Sequence, residues 1–201
     1  IRTIGLPLFY IPFIFIFKAI DLKQILIPVS FFNSLVLYNI SILLIALIAS
    51  RLIHNLKVSI LAATLWAVFP WLTYFLAKVK PEYDYPGLSL SRLIYQMFMH
   101  ISSDGISVFF VLLTIYLSIS FLNNKKILWL IILGISFAIA VLIRPQNIVL
   151  LSLVFFVCIN KKEFKGIFIF IITVLFGLMP QFIYNWVTSG SLLNLKTIIE
   201  S

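Results

Sequence analysis

The chain has 201 residues, of which 63% are hydrophobic and only 10% are charged. This excludes an ordinary soluble domain, which is about half apolar and about a quarter charged. The net charge of +9 would suit a nucleic-acid binder, but no soluble basic region is present to hold one. Near lipid, positive charge orients membrane spans and meets anionic head groups. The single cysteine, Cys158, excludes an internal disulfide and a cysteine-based metal cluster.

Apolar stretches recur at the length that a transmembrane helix needs, about 20 residues. The alternating pattern of a membrane β-barrel is absent from the sequence, and backbone groups in lipid must be paired within their own segment. The sequence therefore predicts an all-α polytopic bundle that forms one domain over residues 1–201: an N-terminal segment (1–30), spans (31–184) and an outer-face segment (185–201). The six predicted spans are Phe31–Ser50, Ile60–Ala77, Gly105–Leu122, Ile127–Ile143, Ile148–Ile159 and Ile167–Tyr184.

The first 20 residues differ from these spans. Pro7 and Pro12 interrupt a helix, and the apolar run Leu6–Phe17 is short for a span. We predict an interfacial or re-entrant segment on the outer side, with an additional tilted span as the alternative. The sequence starts without a methionine or a cleavable leader pattern and stops soon after an apolar stretch, so we expect an internal fragment of a longer polytopic protein.

Three very short connections rich in Lys and Arg indicate the orientation. They lie at 51–57, 123–126 and 160–165. Raw counts of basic residues do not decide the matter, but dense positive charge in short loops is typical of the cytoplasmic side. This orientation places Lys78–His100, Arg144-Pro145 and Asn185–Ser201 on the outer face.

Arg144-Pro145 is the most informative dipeptide, because it closes the apolar run Ile127–Ile143 and another apolar run follows almost at once. A charge there is costly unless it reaches the interface, a partner or an anionic ligand. One interpretation is an interfacial anchor whose aliphatic stem extends outward. The other is a phosphate ligand, since a guanidinium presents a planar fork of donors. Pro145 would stiffen the turn that presents it.

Asp104 opens the third predicted span within Ser102-Ser103-Asp104-Gly105. Ser or Asp at such a position caps free amides at a helix start. A carboxylate at the mouth of a cavity, which binds an acceptor or pairs with Arg144, is a compatible functional interpretation. Glu82 and Asp84, one residue apart, could ligate a divalent cation, but simple solvation is favoured.

The two histidines and the missing motifs narrow the function further. His54 and His100 have no partners at metal-ligand spacing, so we interpret them as surface residues. The sequence contains no nucleotide-binding glycine loop, HExxH zinc motif or GxSxG elbow.

The order of these features resembles that of the membrane-embedded GT-C glycosyltransferases. This clan includes the protein O-mannosyltransferases and the aminoarabinose transferases of lipid A, and its members take sugar from a polyprenyl phosphate. The segments that carry the resemblance are Thr3-Ile4-Gly5-Leu6-Pro7-Leu8, Ser103-Asp104-Gly105 with Phe109-Phe110 behind it, Gly134 through Arg144-Pro145, and Pro180-Gln181 with Tyr184-Asn185-Trp186 and Gly190.

The resemblance implies a hexosyl or pentosyl transferase that uses a polyprenyl-phosphate-linked sugar at the outer face of a bacterial plasma membrane. Arg144, helped by Lys78 or Lys80, would contact the donor phosphate, and Asp104 would shape the acceptor side or orient Arg144. The acceptor would be a glycan, a lipid or a protein. No cofactor is identified, and a divalent metal is left open.

The resemblance also implies what these residues lack. The family's catalytic acid lies in its first outer loop, so we expect it upstream of Ile1. We therefore assign no catalytic residue here and expect these residues alone to be inactive. An oligosaccharide polymerase or ligase, and a non-enzymatic transporter or flippase of lipid-linked glycans, are the alternatives.

Overall fold

The computed structural model describes residues 5–20, 22–79, 103–123, 126–160 and 164–190. These residues are helical apart from short turns and contain no β-strand, which confirms the predicted all-α class. The helices are α1 (Gly5–Phe17), α2 (Leu22–Phe31), α3 (Tyr38–Ile53), α4 (Leu56–Val79), α5 (Ser103–Asn123), α6 (Ile127–Ile143), α7 (Leu150–Asn160) and α8 (Phe164–Ser189). A π-helical segment, Phe32–Leu37, joins α2 to α3, and a 3₁₀ segment, Pro145–Val149, precedes α7.

Each predicted span falls on helical structure. Among the described residues, three helical stretches are long and apolar enough to cross a membrane: Ile27–Ile53, Gly105–Asn123 and Lys165–Ser189. The fourth predicted span coincides with α6, and the fifth comprises most of α7 and the end of the 3₁₀ segment before it. The chain is thus an integral membrane protein. Residues 5–17 of the N-terminal segment form α1, a helix of 13 residues, which is about 20 Å long. The expectation that Pro7 and Pro12 interrupt a helix is wrong, because Pro7 lies in the first turn of α1, where an amide has no helical partner, and the helix continues through Pro12.

The described residues fall into two compact units. The C-terminal unit contains residues 5–12 and the described residues from Leu113 onward, whereas the N-terminal unit contains the described residues between Phe13 and Leu112. Each unit is internally packed, and α5 contributes its first half to one and its second half to the other.

In the N-terminal unit, α3 and α4 form an antiparallel pair joined by a very short connection. His54 ends α3 in the left-handed region, with φ of 54°. The side-chain oxygen of Asn55 then accepts a hydrogen bond from the amide of Lys57 at 3.0 Å and so caps α4. Further along, the Tyr38 hydroxyl donates towards the carbonyls of Trp66 (3.1 Å) and Ala67 (3.2 Å), which ties the two helices together.

The core of the C-terminal unit is apolar and lies where α5, α6, α7 and α8 meet. Phe137 of α6 and Phe170 of α8 are buried at its centre, with ring centroids 5.7 Å apart. Cys158 is buried in the same core. The hydroxyls of Thr114 and Ser136, which are buried, lie 3.1 Å apart and link α5 to α6. Such interhelical pairs remove polar groups from an apolar environment.

Small residues bring α6 and α8 unusually close. A methyl group placed on Gly134 would lie 2.8 Å from the Thr173 Cβ, and one on Gly177 would lie 2.6 Å from the Ala138 Cβ. In both helices the paired positions are four residues apart, the spacing that lets helix backbones approach in membranes. Because both partner positions advance in the same direction, α6 and α8 run parallel, and their C-terminal ends lie on the same side.

Candidate functional site

The candidate site centres on Arg144, where α6 ends. Arg144 has φ of −139° and ψ of 110°, an extended conformation outside the helical region. Its amide still donates to the Ala140 carbonyl at 3.0 Å, so it completes the last turn of α6. Pro145 causes the break, because a proline pushes the preceding residue out of the helical region and supplies no amide of its own. Pro145 then opens the 3₁₀ segment. The structure places a turn at this dipeptide.

Asn147 is a further component of this turn, and the sequence analysis missed it. Its side-chain amide nitrogen donates to the Ala140 carbonyl at 2.8 Å, across seven residues of chain. Its backbone amide donates to the Arg144 carbonyl at 3.0 Å. The sequence signal was an asparagine two residues after a proline, since Asn favours turns in which its side chain bonds nearby backbone.

The N-terminal segment reaches the same helix end. Gly5 is buried at the start of α1, and a methyl group placed there would collide with the backbone carbonyl of Leu142. The two backbones are therefore in direct contact, two residues before Arg144. This brings the Gly-x-Pro-Leu stretch, Gly5–Leu8, beside the Arg144-Pro145 turn. The sequence suggested that both segments matter but not that they meet.

The C-terminal half of α8 runs at the level of this turn. Arg144 lies six residues beyond Ala138, and Ile183 lies six residues beyond Gly177, its partner. At 1.5 Å per residue both are about 9 Å further along their helices. At this level the Gln181 side-chain amide donates to the Asn185 side-chain oxygen at 2.8 Å. The Pro180…Asn185 segment thus lies at the same end of the unit as Arg144.

The other predicted residues are placed less completely. Asp104 is the second residue of α5. It belongs to the N-terminal unit, so its pairing with Arg144 stays a prediction. Lys78 is the second-last residue of α4. The described residues do not include Lys80, Glu82, Asp84 or His100.

The described residues offer little for a metal ion. Within 5–20, 22–79, 103–123, 126–160 and 164–190 there is no group of three or more His, Cys, Asp or Glu side chains that could hold one. His54 is exposed in the α3–α4 connection, as a surface residue would be. Glu82 and Asp84, which the sequence analysis considered as cation ligands, lie outside these ranges.

Comparison with known proteins supports one family. Residues 87–184 match the family model described as dolichyl-phosphate-mannose-protein mannosyltransferase. The resemblance to GT-C membrane glycosyltransferases is confirmed. No curated protein and no solved structure matches the chain. The matched stretch is just under half of the chain and contains α5, α6, α7 and most of α8.

The matched stretch contains Asp104 and Arg144 but not Lys78, Lys80 or Gly5. The described part of the matched stretch is built around the α6–α8 pair and the Arg144 turn. A glycosyltransferase that depends on a polyprenyl-phosphate-linked sugar is the general function that this family supports. The contact of Gly5 with Leu142 connects a residue outside the matched stretch to the helix end within it.

Proposed function

We propose that the protein transfers a hexosyl or pentosyl group from a polyprenyl-phosphate donor to an acceptor at the outer face of a bacterial plasma membrane. The observation that carries the proposal is Arg144. It is a half-buried arginine, held extended at the end of an apolar helix, inside the stretch that matches the mannosyltransferase family. A charge at the end of a membrane span is costly unless it reaches the interface, a partner or an anionic ligand, and a polyprenyl phosphate would be such a ligand.

In this proposal the guanidinium of Arg144 binds the donor phosphate. The bond between the sugar's anomeric carbon and the phosphate oxygen breaks, and a new bond forms from that carbon to the acceptor hydroxyl oxygen. Fixed positive charge stabilises the negative charge that develops on the departing polyprenyl phosphate. Lys78 or Lys80 supplies a second positive charge to the same group.

Asp104 serves the acceptor side or orients Arg144. The proton of the acceptor hydroxyl passes to a carboxylate base, since a positioned base assists the removal of such a proton. We assign this base to none of these 201 residues.

The test is substitution of Arg144 in the complete protein, purified in detergent and assayed with dolichyl-phosphate mannose and a polyprenyl-phosphate pentose. A hydrogen bond to a charged group contributes about 1.5–3 kcal/mol, so Arg144→Ala should lower kcat/KM by roughly 10- to 100-fold. Arg144→Lys keeps the positive charge but loses the planar fork of donors, so its kcat/KM should lie between those of the wild type and Arg144→Ala.

Arg51→Ala is the matched control, because Arg51 lies in the last turn of α3 in a connection predicted to be cytoplasmic. It should retain turnover within about twofold, as expected for a surface substitution. Unchanged donor affinity and turnover in Arg144→Ala would refute the phosphate assignment. Movement of the labelled lipid across a vesicle membrane, without formation of a glycoside, would favour a transporter instead.

A further inference from the structure

Three hydrogen bonds close the chain around Arg144. The Ala140 carbonyl accepts from the Arg144 amide at 3.0 Å and from the Asn147 side-chain amide at 2.8 Å. The Arg144 carbonyl accepts from the Asn147 amide at 3.0 Å. Arg144 thus sits inside an eight-residue loop, 140–147, whose two ends are joined by the Asn147 side chain.

The proline ends the normal hydrogen-bond ladder of α6. Pro145 has no amide to donate and forces Arg144 out of the helix, so the ladder stops at Arg144. The Ala140 carbonyl already accepts from the Arg144 amide, and the Asn147 side-chain amide donates to that same carbonyl. This second bond ties residue 147 back to the last turn of α6, and it forms only when the turn has the observed geometry.

The constraint acts on the backbone of Arg144 rather than on its guanidinium. An extended residue between a helix and a 3₁₀ segment has many alternative backbone conformations unless both sides are fixed. Here the helix fixes its amide, and the backbone amide of Asn147 donates to its carbonyl. The Asn147 side chain in turn anchors residue 147 to the last turn of α6 through the Ala140 carbonyl. Fixing the backbone lowers the entropy that the arginine side chain loses when it binds a ligand, which is the general advantage of preorganisation.

We propose that Asn147 is a positioning residue for Arg144: it holds the Arg144-Pro145 turn so that the guanidinium is directed to the donor phosphate. The inference rests on the proposed function of Arg144 as a phosphate contact. It goes beyond that function, because the segment of the resemblance that begins at Gly134 ends at Arg144-Pro145. The resemblance attributes no role to Asn147.

The binding test uses farnesyl phosphate, a short soluble polyprenyl phosphate, and the complete protein in detergent. Farnesol, which lacks the phosphate, measures binding by the apolar tail alone. We expect Asn147→Ala to weaken farnesyl phosphate binding about fivefold to tenfold, with farnesol binding unchanged. In an Arg144→Ala background the same substitution should have no further effect, since coupled residues are not additive. Asn147→Ser, which is too short to reach Ala140, should act like Asn147→Ala.

Ser152→Ala is the matched control. It removes a side-chain-to-carbonyl hydrogen bond of 2.7 Å, to Val149, close to the same turn but outside the 140–147 loop. It should leave farnesyl phosphate binding unchanged. Two results would overturn the positioning role. One is that Asn147→Ala weakens farnesyl phosphate binding equally in the wild-type and Arg144→Ala backgrounds. The other is that Arg144→Ala weakens binding but Asn147→Ala does not.

A second readout needs no ligand. Arg144→Cys in a Cys158→Ala background can be modified with a negatively charged thiosulfonate reagent. Release of the turn by Asn147→Ala should raise the modification rate at least threefold, whereas Ser152→Ala should leave it unchanged. If Arg144→Ala itself bound farnesyl phosphate normally, the proposed function would fail. The modification rate of the cysteine at position 144 would then still show whether Asn147 positions residue 144. A rate that Asn147→Ala leaves unchanged would refute that role.

Discussion

Two connections in this protein carry an arginine and an asparagine, and they use them differently. In the α3–α4 connection, Arg51 lies within the last helical turn, left-handed His54 ends the helix, and Asn55 caps the helix that follows. After α6, the arginine itself leaves the helix, and Asn147 reaches back to the helix that precedes. In the second arrangement, the asparagine bonds both the carbonyl of the arginine and the last turn of the preceding helix. A connection that merely reverses the chain does not need this.

The helices beside these connections differ in the same way. A polar bond joins α3 to α4, from the Tyr38 hydroxyl to two carbonyls. Close contact at Gly134 and Gly177 joins α6 to α8. Both pairs pack extensively, and the pair whose small residues let the backbones approach closely is the one that presents Arg144.

The largest effect is expected at the α6–α8 contact. Gly177→Leu would drive a side chain into Ala138, whose Cβ would lie 2.6 Å from the new Cβ. Overpacking of this kind costs about 3 kcal/mol, which can be measured as the free energy of unfolding in mixed SDS micelles. Leu175→Phe, at an exposed position of the same helix, should change it by less than about 0.5 kcal/mol. Equal effects would mean that α6 and α8 do not touch there.

A smaller effect is expected where α1 meets α6. Gly5→Ala would force the start of α1 away from the Leu142 carbonyl and should cost about 1–2 kcal/mol of unfolding free energy. Gly105→Ala is the control, because a methyl group there meets nothing within 4 Å. It should be neutral or stabilise α5 by about 0.5 kcal/mol. If Gly5→Ala left the unfolding free energy unchanged, that result would contradict the close contact of Gly5 with Leu142, a contact that distinguishes the Arg144 connection.

The smallest effect is expected at the α3–α4 connection. Asn55→Ala removes the cap that bonds the Lys57 amide and should cost about 1 kcal/mol. Asn55→Asp keeps the acceptor and should retain most of that stability. Neither change should alter farnesyl phosphate binding. A loss of binding in Asn55→Ala as large as that in Asn147→Ala would erase the distinction between the two connections.

Much of the fold was accessible from the sequence. Membrane class and helix positions follow from the length of apolar runs, so α6 has the predicted bounds Ile127–Ile143. The π-helical segment Phe32–Leu37 was not predicted, since its sequence looks like any apolar span. Within the candidate site, Arg144 was predicted from its charge at a helix end. Asn147 was missed because its role depends on a carbonyl seven residues away.

The sequence by itself determined the all-α membrane class, the resemblance to GT-C glycosyltransferases and the break of α6 before Pro145. The class and the helix break depend on composition and on steric effects between neighbouring residues, which act in any fold, whereas the resemblance rests on the order of short motifs. Only the tertiary structure decided that Gly5 lies against Leu142 and that α6 and α8 run parallel in close contact, because those facts depend on how distant parts of the chain pack. The structure also decided that Asn147 closes the turn around Arg144, which the sequence signals only as an asparagine two residues after a proline.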